Sequence, residues 1–324
     1  MLRVKVRGED RAVAEVVGAI LLFAVFITLF TSFLVWYIPT TTGNNEVLYQ
    51  HETGNAFNSL VGKIHSGDLS TGSTVSQNIP LGINGAPPFA AAVGTEVSVI
   101  PKYPDFNASV SFSLTIDVTN VNGTPTTVPV AGHFTAQGII NSLGNTEYVS
   151  PVNYAIEDGT LFQVYGTTQP ANSLGPLPLG ISNGSGGLGL QLGIYGFNGS
   201  SVTVSAVQPQ IINLIVNSSE HTDYFNGSLA SLGGNIYTIH NITLNTLNYY
   251  INGSLANAWD YGFFNQFNNT GKNYSTVLSL SSWNFSAYKL MAHYTGSNLY
   301  ITNKSKSPLK LNSASVIFEY LKVS

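Results

Sequence analysis

A chain of 324 residues that is 44% hydrophobic but only 9% charged has ample material for a large core and little for electrostatic recognition. Twelve Lys and Arg against sixteen Asp and Glu leave a formal net charge of -4, and no Lys or Arg occurs between Tyr103 and Gly271. Nucleic acid is thereby excluded as a partner and nucleotide chemistry loses its usual phosphate clamps, while the absence of cysteine rules out disulfides and thiolate metal sites.

The first predicted element is a membrane span. Residues 16–38 form an unbroken uncharged run that reaches about 34 Å as a helix, enough for a hydrocarbon core of about 30 Å. Arg3, Lys5, Arg7 and Arg11 precede it, whereas Glu46, Glu52 and a single Lys63 come after it at a distance. This bias predicts a single-pass protein of the cell membrane with its N-terminus cytoplasmic and everything after Pro39 extracellular, the lipid bilayer being its first partner. Trp36 and Tyr37 end the run as an interface belt. Pro39, followed by Thr40, Thr41, Thr42 and Gly43, predicts that the helix stops there. A secretory signal peptide is the alternative, but the run exceeds the roughly 7–15 apolar residues of such a segment and no small-x-small cleavage site comes after it.

Residues 45–64 predict a separate short helix with Phe57, Leu60, Val61 and Ile64 on one side, forming a stalk or packing onto a sheet, although Gly54 and Gly62 weaken it. Beyond it the period changes to two. Residues 110–118 alternate without error, as do Leu188, Leu190, Leu192 and Ile194. Further strands are expected over 93–100, 160–165, 202–207, 210–216, 235–244, 298–302 and 316–323, punctuated by turn residues. The expected fold class is mainly β: a transmembrane helix and a short stalk helix, then an antiparallel, β-sandwich-like extracellular region. The expected organisation is residues 1–12 as a leader, 13–38 as the membrane helix, 39–66 as linker and stalk, 67–216 as a β-rich domain, and 217–324 as a β extension or second β domain. One short repeat is visible, Tyr224-Phe-Asn-Gly-Ser-Leu-Ala230 against Tyr250-Ile-Asn-Gly-Ser-Leu-Ala256, and reads as a recurring aromatic-plus-turn device.

Glycan acceptors are the second organised signal. Asn-x-Ser/Thr occurs at Asn107, Asn122, Asn183, Asn198, Asn217, Asn226, Asn241, Asn252, Asn268, Asn273, Asn284 and Asn303, about twice the chance expectation for this composition. Ten of the twelve lie from Asn183 onward, so the distal half is the more decorated. Several are Asn-Gly-Ser, which is also hairpin-turn chemistry, and hairpin tips are where a glycan fits. The scarcity of carboxylates suits a surface exposed to acid, where each natively paired carboxylate loses stability on protonation; a sugar-coated surface also needs few charges.

Catalytic constellations are weak. Gly184-Ser-Gly186-Gly187-Leu-Gly189 satisfies G-x-G-x-x-G but leads into a strand pattern and reads as a loop. Ser286-Ala-Tyr-Lys289 lacks the partner motifs of S-x-x-K enzymes. The six histidines are scattered, and His221-Thr-Asp223 is a close His/carboxylate pair. Glu157-Asp158-Gly159 offers adjacent carboxylates that a strand would point to opposite faces, wrong for two groups acting on one bond, and so reads as a hairpin turn. No catalytic residue, cofactor or metal site is expected.

Arg11-Ala12-Val13-Ala14-Glu15-Val16-Val17-Gly18-Ala19-Ile20-Leu21-Leu22 resembles the class III leader and N-terminal helix of archaeal type IV pilins and pilin-like surface proteins. The resemblance implies cleavage between Ala12 and Val13 by a leader peptidase of the prepilin type, with Arg11 and Ala12 before the cut and Gly18 as the glycine of the mature helix. Residues 45–52, Tyr148 and 156–162 are similar to an uncharacterised family of archaeal membrane-anchored pilin-like proteins. Glu15, at the edge of the apolar run, is costly there unless paired. The resemblance implies a partner in the amine freed at Val13 of the same or a neighbouring subunit, the alternative being the headgroup layer at a helix N-terminus. The expected function is that of a pilin-like single-pass cell-surface glycoprotein with a structural, adhesive or envelope-interaction role, its partners being other pilin-like subunits or envelope glycoproteins. A minor pilin or filament subunit, and a membrane-anchored hydrolase or solute-binding domain, are the alternatives.

Overall fold

The computed structural model of the chain describes residues 9–66, 69–166, 171–184, 187–232, 234–267, 282–285, 290–295, 297–303 and 308–323. It opens with one helix, α1 (Glu9–Ile64), of 56 residues. The stop expected at Pro39 does not occur; Pro39 lies inside α1. The lost N–H and the clash with the preceding turn are outweighed by burial of the next six turns, where Thr42, Glu46, Tyr49, Thr53, Phe57, Leu60 and Ile64 form one stripe at steps of three and four. Tertiary packing holds this half of the helix where local propensity would end it. The separate stalk expected over 45–64 is therefore the buried end of a continuous rod, with Phe57, Leu60, Val61 and Ile64 inside as the pattern required.

The other half is its opposite. Among candidate spans in the described residues, α1 carries an apolar window with none of its residues buried by the protein. Hydroxyls in this stretch fold back on the helix, Thr28 to the Ala24 carbonyl, Ser32 to Thr28 and Thr40 to Trp36, each at 2.8 Å. They therefore need no water.

The body comprises β1 (Thr74–Ile79), β2 (Thr95–Ile100), β3 (Phe106–Asn120), β4 (Pro125–Gln137), β5 (Ile139–Leu143), β6 (Val152–Glu157), β7 (Thr160–Tyr165), β8 (Asn172–Ser173), β9 (Leu179–Gly184), β10 (Gly187–Asn198), β11 (Val202–Ala206), β12 (Gln210–Phe225), β13 (Leu229–Leu232) and β14 (Asn235–Gly253). After these come α2 (Ala256–Phe267), β15 (Ser282–Phe285), β16 (Leu290–Thr295), β17 (Asn298–Asn303), β18 (Leu309–Leu311) and β19 (Ser313–Val323). Three sheets result: β1-β12-β19-β10-β9, β11-β2-β5-β6-β7-β8, and β15-β16-β17-β14-β3-β4 with β13 and β18 also on β14. All strand pairings among the described residues are antiparallel except β10 with β19. Each strand expected from alternation is present, and β3 shows why: its even-numbered residues from Phe106 to Val118 are buried and the intervening ones are not.

Two cores lie between these layers. One joins β3, β14 and α2 to Leu190, Leu192 and Ala314 of the five-stranded sheet. The other packs Phe57, Leu60, Val61 and Ile64 of α1 against Val75, Ile156, Leu161, Tyr195 and Leu214. The six-stranded sheet serves both, giving Phe162 to the first and Leu161 to the second. Position 217, where a β extension or second domain was expected to begin, lies inside β12, and β3 with β14 and β10 with β19 pair across it. The two halves share their sheets.

The helix α2 was not expected. Trp259, Phe263 and Phe267 recur every fourth residue and are buried, a helical period masked by residue types that favour strands. The repeat behaves accordingly: after the first Asn-Gly-Ser the chain enters β13 at Leu229, and after the second it enters α2 at Ala256.

Candidate functional site

An open groove of about 520 Å³ lies on the five-stranded sheet where the second layer ends. Register builds it. Ser182, Gly189, Ser313 and Phe225 stand in one cross-strand row, and Gly180, Gln191, Ser315 and Asp223 in the next. His221, opposite Ile317, comes after them, and Gln266 of α2 also lines the groove. Because successive strand residues alternate faces, Leu190, Leu192 and Ala314 in between point into the core. Gly189 keeps the floor low: a Cβ there would lie 2.8 Å from both the Ser182 and the Ser313 hydroxyl.

The groove wall is mixed: Ile181, Leu190, Phe225 and Ile317 line it beside the polar side chains, it holds no Lys or Arg, and Phe225 is 51% exposed on it. His221 Nε2 lies 3.2 Å from Asp223 Oδ1 and 3.4 Å from Ser315 Oγ. Both contacts fall on one ring nitrogen, so these three side chains do not form a relay, which needs a partner on each nitrogen. Among the described residues no third His, Asp or Glu joins His221 and Asp223 in a metal-sized cluster. Hydroxyls, planar amides and a carboxylate around an exposed ring offer donors, acceptors and a stacking face. That chemistry suits a neutral polyhydroxylated ligand better than an anion.

A second polar cluster is sealed. The β6–β7 hairpin turns on Asp158 (φ 44°) and Gly159 (φ 70°), both in the left-handed region that a tight two-residue turn requires. The turn expected there is present, yet its tip is inside the protein: Glu157 and Asp158 are completely buried. Asp158 accepts the Tyr195 N–H at 2.7 Å and the Tyr249 hydroxyl, while Glu157 accepts the Trp259 indole N–H at 3.1 Å. His65 Nε2 lies 2.9 Å from the Gly159 carbonyl, and its ring centre is 4.4 Å from that of Tyr195 with the planes tilted by 47°. Glu319, cross-strand to Tyr195, is buried as well.

Burial dominates the electrostatics here. It raises Glu157 to about 8, with the Trp259 hydrogen bond opposing and the Asp158 charge adding. It raises Asp158 to about 7 against the hydrogen bonds from Tyr249 and Tyr195, and Glu319 to about 7 against His221 and Ser219. Desolvation likewise raises Tyr195 and Tyr249 and lowers His65. The two adjacent carboxyls take different partners and neither reaches solvent, so they do not form a pair facing a substrate.

The residues singled out in the sequence fall in different places. Arg11 and Ala12 lie in the first turns of α1, and their side chains are outside the described residues, as are residues 1–8. Val13, Glu15 and Gly18 are exposed along the rod. Trp36 is 64% exposed, and the Tyr37 hydroxyl donates to the Pro87 carbonyl at 3.1 Å. Of the glycan acceptors, Asn122, Asn198, Asn217, Asn226, Asn241 and Asn252 are exposed. Asn107 is half-buried between β4 and β14. Asn303 is 4% exposed, donates to the Asn245 carbonyl at 2.9 Å and accepts the Leu247 N–H at 3.1 Å, so its amide is engaged in the fold. Asn183 and Asn284 are on strands with undescribed side chains; Asn268, Asn273, and Ser286 and Lys289 of the S-x-x-K match, lie outside the described residues.

Sequence reasoning missed the groove because its members come from five elements. The local trace is the alternation of small or polar residues, Gly189 with Gln191 and Ser313 with Ser315, on the face opposite the leucines. Across known proteins, no family model, no curated sequence and no solved structure matches this chain.

Proposed function

We propose that the chain is a pilin-like, single-pass surface glycoprotein whose outer body makes adhesive or envelope contacts through the groove on its five-stranded sheet. The observation that carries this reading is the division of α1 into an apolar half with no protein around it and a half built into a β-rich body. A membrane on one side of Trp36 and Tyr37 and the extracellular space on the other accounts for both halves. The groove supplies the contact chemistry: an exposed ring, amides and hydroxyls, and no Lys or Arg, suited to the neutral sugars of an envelope polymer.

The test uses full-length protein from its native membrane. Proteolytic shaving of intact cells is expected to remove the body and leave the rod in the membrane fraction. On an array of neutral oligosaccharides the protein is expected to bind, and Phe225→Ala and Asp223→Asn to lose that binding with unchanged melting. Recovery from the cytosol, bare of carbohydrate, overturns the reading.

A filament subunit is the second reading, favoured by the same unpartnered apolar face over the first half of α1. Negative-stain images of shed material separate the two, since anchored monomers leave no fibres.

A further inference from the structure

The body carries a second apolar element beside the rod. No charged residue occurs from Leu81 to Thr95, and within this loop Pro87, Pro88, Phe89, Ala91, Ala92 and Val93 are exposed. The loop is built rather than slack. Ile83 and Val93 exchange two backbone hydrogen bonds of 2.8 Å at its base, and the Ala86 carbonyl accepts from both Phe89 and Ala90 at 2.9 Å. Asn45 of α1 donates its amide to the carbonyls of Asn84 and Gly85 at 3.0 and 2.9 Å, tying the loop to the rod.

Its height along α1 sets the depth it would reach. The Phe89 ring sits edge-on to Phe30 at 5.8 Å and to Tyr37 at 6.1 Å. Those two residues are seven apart, about 10.5 Å along a helix, so Phe89 lies about 5 Å on the apolar side of Tyr37. Trp36 and Tyr37 mark the level of the headgroups. A ring held one turn beyond them, 41% exposed and surrounded by uncharged residues, is at the depth of the outer acyl chains.

We infer that the loop of residues 84–93 is a membrane-contacting wedge that enters the outer leaflet beside the span, so that the body rests on the bilayer instead of standing off it. This rests on the reading of α1 as a membrane span. The occupant of the exposed side of the wedge is lipid, because Phe89 joins the patch to the apolar surface of the rod through Phe30 and Tyr37 and no charged residue lies in the loop.

The chain has no cysteine, so a single introduced thiol reports one position. Ala91→Cys, Val25→Cys within the span (59% exposed) and Val121→Cys at the β3–β4 turn are labelled with bimane. Each full-length protein is placed in nanodiscs of dioleoylphosphatidylcholine carrying nitroxide lipids. Expected at Ala91 is quenching by shallow acyl nitroxides, a blue-shifted emission and loss of quenching by aqueous iodide, with Val25 quenched by deep nitroxides and Val121 by iodide alone. If Val25 is quenched by lipid while Ala91 stays open to iodide, the wedge is refuted and the span survives. If Val25 itself escapes lipid quenching, the membrane reading fails and the wedge with it. An Ala91 label hidden from both quenchers, with excimers when pyrene replaces bimane, refutes lipid in favour of a second copy. Phe89→Ser, outside both cores, provides the control: with melting unchanged, the Ala91 label is expected to shift toward iodide exposure.

Discussion

Raising the pH should destabilise this fold, which is opposite to the behaviour of a protein held together by ionised carboxylates. Glu157, Asp158 and Glu319 are all raised by burial, so each contributes stability that is complete below its ordinary value and is lost as pH climbs through its folded value. For Glu157 the window runs from 4.5 to about 8; at about 1.4 kcal/mol per pH unit, the loss over that window is on the order of 5 kcal/mol. Asp158 acts over 3.8 to about 7 in the same direction. The total stability of a domain is about 5–15 kcal/mol, so a loss of this order is a large fraction of it. Thermal melting of the detergent-solubilised protein, followed by circular dichroism from pH 4 to pH 9, should give a Tm that falls from about pH 4.5 and levels off near pH 8. Glu157→Gln keeps an acceptor for Trp259 without a proton to lose; it should match the parent at pH 4 and exceed it at pH 8. A Tm that is flat or rises between pH 5 and pH 8, or a Gln variant that gains nothing there, would refute this reasoning.

Two glycines of α1 should respond to alanine with opposite signs. At Gly54 a Cβ would lie 2.6 Å from the Tyr154 hydroxyl, which donates to the Gln50 carbonyl at 3.1 Å, so Gly54→Ala should cost about 1–3 kcal/mol despite better helix propensity. At Gly62 nothing lies within 4 Å, and Gly62→Ala should add about 0.5–1 kcal/mol; paired melts decide both. Peptide mapping of protein from its native membrane should find sugar at Asn122 and Asn226 and none at Asn303. Asn303→Ala should lower stability by about 1–3 kcal/mol by orphaning the Leu247 N–H and the Asn245 carbonyl.

What was legible in the sequence was whatever a local period could carry. The alternation of β3, and the set Phe57, Leu60, Val61 and Ile64, point to the faces they bury without knowledge of what covers them. Pro39 misled because its cost is local while the compensation, the buried stripe from Thr42 to Ile64, depends on sheets assembled from distant segments. Gly54 misled for a related reason: it reads as a weak helix position and is in fact a clearance for Tyr154. Asp158-Gly159 was readable as a turn, but nothing in its neighbourhood told that His65, β10, β14 and α2 would close over it. The groove is the extreme case, since cross-strand rows such as Ser182-Gly189-Ser313-Phe225 exist only once the parallel pairing of β10 with β19 has set the register.

The unbroken course of α1 through Pro39 has a mechanical corollary. On the proposed membrane reading, a helix that runs on through Pro39 would pass drag on the body to its apolar half as torque, with the sheets acting as the long arm of a lever. Such an anchor would respond to shear by tilting, and the load would fall on the seat between the helix and its sheets.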